Sequence, residues 1–158
     1  MSTKPSMKDR LMGELRQALR DGDKQRKLTI RMLQAAIINE EKAGESPREL
    51  TEEEILAIIV RQVKQRRESI AAYQKGNRQD LVEEEQVQLD ILMEYLPRQM
   101  TKEEIVATAQ QAIAEAEATG PQDMGKVMRH LMPSLKGKAD GRTVNQVVRE
   151  LLAPTSQE

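Results

Sequence analysis

The sequence predicts an all-α protein in two helical parts, and three observations carry that expectation. Apolar residues recur at the helical period of about 3.6, and no stretch sustains a period of two. Hydroxyl-plus-glutamate helix starts stand at Thr51-Glu52-Glu53-Glu54 and Thr101-Lys102-Glu103-Glu104, each able to satisfy the free N–H groups of a first turn. Leu96-Pro97 breaks the chain just ahead of the second start, because proline disfavours helix in the residue before it. The expected organisation is an N-terminal domain of about four helices over 1–97, a C-terminal three-helix domain over 98–152 and a frayed tail over 153–158. No internal repeat or low-complexity tract is visible.

Taken in order, Leu11, Leu15, Ala18 and Leu19 form one stripe of a helix over about 7–20, which stops at Asp21-Gly22-Asp23. A second helix, about 24–42, carries two apolar stripes, Leu28, Met32 and Ala35 beside Ile30, Leu33 and Ile37, and so is expected to touch neighbours on two sides. A third, about 52–75, buries Ile55, Ile58, Ile59, Val63, Ile70 and Tyr73, and Gly76-Asn77 ends it. A fourth, about 80–95, completes an antiparallel hairpin with it. In the second part, helices are expected over 102–118, 122–131 and 142–152, with Ile105, Ala109, Met124, Val127, Val144 and Val148 among the inward positions.

Composition excludes several function classes. With no cysteine there is no disulfide, no thiolate metal ligand and no thiol nucleophile. Tyr73 and Tyr95 are the only aromatics, too few for a platform that stacks single-stranded bases. Nine methionines, with Ala and Leu, must fill the core that aromatics usually fill. No apolar run approaches the roughly 20 residues that span a bilayer, and Met1 to Met12 lacks the continuous apolar stretch of a signal peptide. The expected setting is cytoplasmic, away from the membrane.

The formal net charge is -1, from 25 Lys plus Arg against 26 Asp plus Glu, so bulk charge does not mark a polyanion binder. Position matters more. Lys126, Arg129, Lys136, Lys138, Arg142 and Arg149 stand between Met124 and Arg149 with only Asp140 opposing them. The densest part, Lys136-Gly137-Lys138-Ala139-Asp140-Gly141-Arg142, is a glycine-containing loop leading into a helix N-terminus. Glycines let a backbone approach a ligand and align successive N–H groups, and a helix start adds partial positive charge, so phosphate is the natural ligand. The plainer reading is a pair of helix caps among solubilising cations. Arg61, Lys64, Arg66 and Arg67 form a second basic group, which is expected to pair with Glu83-Glu84-Glu85 on the neighbouring helix.

No catalytic set is legible. His130, the single histidine, has no second histidine or cysteine to share a metal, and reads as a surface or half-buried structural residue. Neither a Gly-x-x-x-x-Gly-Lys-Ser/Thr nor a Gly-x-Gly-x-x-Gly cradle is present. The residues call for no metal and no cofactor.

Ordered motifs add a resemblance. Asp123-Met124-Gly125-Lys126-Val127-Met128, Met132-Pro133, Lys136 to Arg142 and Val144-Asn145-Gln146-Val147-Val148 resemble the YqeY, or GatB/YqeY-domain, family. Ile30-Arg31-Met32-Leu33, Asn39-Glu40-Glu41, Lys64-Gln65-Arg66-Arg67-Glu68-Ser69 and Glu94-Tyr95-Leu96-Pro97 fit it in the same order, over roughly 7–152. The resemblance implies an all-helical protein whose C-terminal part is similar to the tail of GatB, a subunit of the glutamine-dependent tRNA amidotransferase. That tail contacts tRNA, while the cradle and amidase that do the chemistry have no counterpart in this sequence. A family label of carbon–nitrogen ligase with glutamine as amide donor is thus read as inherited from the larger enzyme. Carried over by position, Gly125, Lys126, Lys136, Gly137, Lys138, Gly141 and Arg142 are the candidate RNA- or phosphate-binding residues. Asp140 is expected to cap the last helix, and Asn145 to hydrogen-bond the loop.

The first expectation is a tRNA- or RNA-contacting module. The second is a helical adaptor for a synthetase or amidotransferase subunit, with Met124, Met128 and Met132 as an adaptable face. Amidotransferase activity itself ranks last.

Overall fold

The computed structural model describes residues 4–154, which form seven α-helices and one short 3₁₀ turn. The chain divides into two compact units, Met1–Leu96 and Pro97–Glu158. The tail expected over 153–158 lies outside the described residues from 155 onward.

The first unit holds α1 (Met7–Asp21), α2 (Lys24–Glu41), α3 (Glu52–Lys75) and α4 (Gln79–Met93). Three of the four, α1, α2 and α3, begin on a side-chain cap, and α4 does not. Ser6 Oγ accepts the Asp9 N–H at 3.1 Å to start α1, a cap that the apolar pattern does not announce. Gly22, at φ 69°, closes α1 in the left-handed region, and Asp23 at once caps α2 through the Arg26 N–H at 3.0 Å. Between α3 and α4 the left-handed residue is Asn77, at φ 55°, while Gly76 keeps an ordinary negative φ.

Helices α3 and α4 pack along each other as a hairpin, α2 lies against both, and α1 packs on α2. Leu11, Ile30, Leu33, Ile55, Ile59 and Leu92 are fully buried at the centre. Arg66 and Glu85 join the hairpin arms by a forked pair at 3.0 and 3.1 Å, each side chain 16% exposed. The expected pairing between the two charge runs is made by this shielded ion pair.

Helix α2 does touch neighbours on more than one side, α1 as well as α3 and α4, but the expected Leu28–Met32–Ala35 stripe is not the one that makes these contacts. Leu28 and Met32 are 44% and 41% exposed and Ala35 is exposed, because α3 and α4 take the Ile30–Leu33–Ile37 stripe. Leu19 on α1 is exposed too, lying beside the buried stripe of Leu11 and Ala18.

The second unit holds α5 (Lys102–Glu115), α6 (Met124–Leu135) and α7 (Gly141–Leu152), which pack mutually around Ile105, Ala109, Val127, Leu131, Val144 and Val148. Glu117, at φ 54°, ends α5 earlier than expected. Helix α6 runs past its expected end at 131, through Pro133, to Leu135. Burying Leu135, which is 2% exposed, is worth about 2 kcal/mol and keeps the last turn helical despite the proline. Met124, Met128 and Met132 are half-buried against the core, not a free face.

Candidate nucleic-acid interface

The loop from Lys136 to Asp140 is held by its backbone. Gly137 sits at φ 78°, a conformation that glycine adopts without steric penalty, and it is buried. The turn sends the Lys138 and Ala139 N–H groups back to the Leu135 carbonyl at 2.9 and 3.2 Å, closing the end of α6. It also turns two carbonyls toward the segment ahead of α5. Gln99 Nε2 donates to the Gly137 carbonyl at 2.7 Å, and the Met100 N–H donates to the Lys138 carbonyl at 2.8 Å.

This geometry corrects the expectation of successive N–H groups aimed at a ligand. The Lys138 and Ala139 N–H groups are consumed in ending α6, and Gly137 shapes the loop from inside it. The start of α7 already carries an acidic side chain. Asp140 caps it, its carboxylate taking a long 3.5 Å bond from the Arg142 N–H and its carbonyl accepting from the Val144 N–H at 3.0 Å. A carboxylate already placed at a helix N-terminus opposes an incoming phosphate. Asn145 accepts from Arg149 Nη2 at 3.1 Å along α7, in place of the bond to the loop that the sequence suggests.

Side chains are the part of the site that faces outward. Lys126, Arg129, Lys136, Lys138, Arg142 and Arg149 are all exposed. Arg129, Lys136 and Lys138 form no ion pair among the described residues. Arg142 and Arg149 are seven residues apart and so share a face of α7. Gly125 and Gly141 lie in the first turns of α6 and α7, and a Cβ at either would meet open space, so packing does not require glycine there.

His130 has a partner that sequence spacing could not show. It is exposed, and its Nε2 lies 2.6 Å from Glu115 Oε2, tying α6 to α5. That contact is the main reason the Glu115 carboxyl is held below the usual carboxylate range. Thr108, Gln111 and Ser134 line the shallow depression around this pair. The Thr108 and Ser134 hydroxyls donate to the carbonyls of Glu104 and Leu131, so neither is poised as a nucleophile.

Among the described residues no helix is long and apolar enough to cross a membrane, and no group of three or more His, Asp or Glu is placed to hold a metal ion.

Known proteins place the chain in a family. It matches the model of the Yqey-like protein family over residues 8–152. It is 34% identical over 149 residues to a fungal protein of Pyrenophora tritici-repentis (strain Pt-1C-BFP) named "Altered inheritance of mitochondria protein 41, mitochondrial", covering 90% of this chain and 79% of that one. A match over nearly the whole length, spanning both helical units, means that this chain is a member of the YqeY family.

Proposed function

We propose that this YqeY-family protein acts as a stand-alone module that contacts structured RNA, a tRNA first among the candidates, through the cationic side chains of its C-terminal unit. The observation that carries the reading is the state of Arg129, Lys136 and Lys138, exposed and without an ion pair among the described residues, on α6 and on the loop after it, whose backbone is tied. Cations fixed by a pinned backbone suit the sugar–phosphate chain of a folded RNA, which is recognised by shape and charge. With two tyrosines in the whole chain, base stacking is no part of the proposal.

An adaptor role is the second reading and amidotransferase chemistry the third. The methionines on which the adaptor reading rests pack against the core, which leaves it less support. A cytoplasmic setting belongs to the proposal too. The fungal relative's name places that protein in mitochondria, and fractionation of the native cell decides the compartment for this one.

The test is tRNA binding by the full chain across a salt series, with wild type beside a Lys136→Ala, Lys138→Ala, Arg142→Ala variant. Each phosphate that is no longer neutralised lowers the slope of log K against log salt by about one unit, so the variant's slope should fall by up to about three. Equal binding by both proteins would remove these residues from the site. No binding by wild type would remove the RNA reading, and ammonia released from glutamine by the pure chain would put catalysis first.

A further inference from the structure

The outer surface of the α2–α4 seam is a feature that the RNA reading leaves unused. Gln88 Nε2 donates to Gln25 Oε1 at 3.3 Å across the seam, and Arg66 reaches both Met32 Sδ, at 3.4 Å, and Glu85. One turn beyond Gln25 stands Leu28, and next to Gln88 stands Val87, each 44% exposed. Leu28 and Met32 on α2 and Val87 on α4 are thus exposed apolar side chains on the two helices that flank the seam.

The rim around these side chains is charged with opposite sign on the two helices. Lys24 and Arg31, one turn before and after Leu28, are exposed on α2. Glu83, Glu84 and Asp90 surround Val87 on α4 at spacings of three and four residues, and all are exposed. Lys24, Arg31, Glu83 and Glu84 form no ion pair among the described residues. An apolar centre inside a polar rim is the anatomy of a protein contact. Here the rim carries both halves of its own complement.

We propose that this face binds a second copy of the chain, with α2 of one protomer lying on α4 of the other. Helices α2 and α4 run antiparallel, since Arg26 meets Glu94 at one end of the seam while Met32 lies by Arg66 and Glu85 further along. A two-fold axis perpendicular to the helices would set α2 against α2 and bring Lys24 and Arg31 toward their own copies. An axis parallel to the helices sets α2 against α4 on both sides of an isologous contact, and every charged rim meets its opposite. Charge therefore selects the second arrangement.

The test uses the full chain and sedimentation velocity from micromolar to sub-millimolar protein at low salt. Wild type should show a monomer–dimer equilibrium that weakens as salt rises, because the rim pairs are exposed. Lys24→Glu with Arg31→Glu, or Glu83→Lys with Glu84→Lys, should each weaken the dimer by at least about tenfold. Mixing the two variants should restore association as a one-to-one heterodimer, which two misfolded proteins would not form. A wild type that stays monomeric overturns the proposal, whether the face is then bare or meets another protein. Variants that dimerise as wild type does, or that stay apart when mixed, overturn it too.

Discussion

Two segments fifty positions apart, Pro47-Arg48-Glu49-Leu50-Thr51-Glu52-Glu53-Glu54 and Pro97-Arg98-Gln99-Met100-Thr101-Lys102-Glu103-Glu104, build the same helix start in different surroundings. In each, the threonine hydroxyl accepts the N–H of the glutamate three residues on, at 3.2 Å. In each, the arginine three residues before the threonine forks onto that glutamate. In each, the backbone N–H just before the threonine is the tether. Leu50 N–H donates to Glu41 Oε2 at 3.3 Å and Met100 N–H to the Lys138 carbonyl at 2.8 Å. The first copy ties α3 to the end of α2, and the second ties α5 to the basic loop. The same local chemistry therefore serves packing in one unit and holds a candidate site in the other.

The largest expected effect breaks the second tether at its anchor. Gly137→Ala forces a side chain into φ 78° at a buried position, which costs about 1–2 kcal/mol and loosens the carbonyls that Gln99 and Met100 hold. Amide exchange should rise at Met100, Lys138 and Ala139 while the amides of α3 keep their protection. Unchanged protection at those three positions would show that the loop does not depend on this glycine.

Next in size is a direct contrast of the two caps. Thr51→Ala and Thr101→Ala should each cost about 1 kcal/mol, with Thr51 the larger. Only Thr51 closes the reciprocal box within hydrogen-bond distance, its own N–H donating to Glu54 Oε1 at 3.3 Å. Guanidinium unfolding followed by amide exchange in each unit reads both costs. A larger effect for Thr101 would mean that its tether, not its hydroxyl chemistry, governs the helix start.

The contrast also shows where sequence stops being informative. Helix number and the glutamate-rich starts follow from local pattern, because capping and helical spacing act within a few residues; that the two charge runs face each other follows from the hairpin, and only the structure singles out Arg66 and Glu85. The extension of α6 through Pro133 does not, since it depends on the space that the core offers Leu135. The two stripes of α2 look alike in sequence, and only the position of α3 and α4 decides that Ile30 is buried and Leu28 exposed. At the candidate site the cations are legible, but the fate of the loop N–H groups is not. Their partner is the Leu135 carbonyl, at the end of a helix that outruns its sequence pattern. The eight-residue motif does not stand out as a repeat, because its arginine and glutamate acquire meaning only once they are seen to fork.

The smallest effect separates the two arginine–glutamate forks by pH. Glu54 is held down to about 2, first by the Arg48 hydrogen bonds and then by the Thr51 N–H. Glu104 is lowered chiefly by Arg98, and the Thr101 N–H contributes least there. A carboxyl whose folded pKa lies below its unfolded value of about 4.5 binds fewer protons in the folded state between those two values. Its contribution to stability is complete above about 4.5 and, for Glu54, is lost as pH falls toward 2. Both glutamate side chains are more than a third exposed, at 35% and 39%, so solvent screening keeps the effect small. Glu54→Gln should therefore flatten the fall of Tm over that window and leave Tm near neutral pH only slightly lowered. Glu104→Gln should flatten it less, because the backbone of Thr101 adds little to what the arginine does in holding that carboxylate charged. Equal flattening by both variants would assign the effect to the arginines alone and make the closed box irrelevant to the charge.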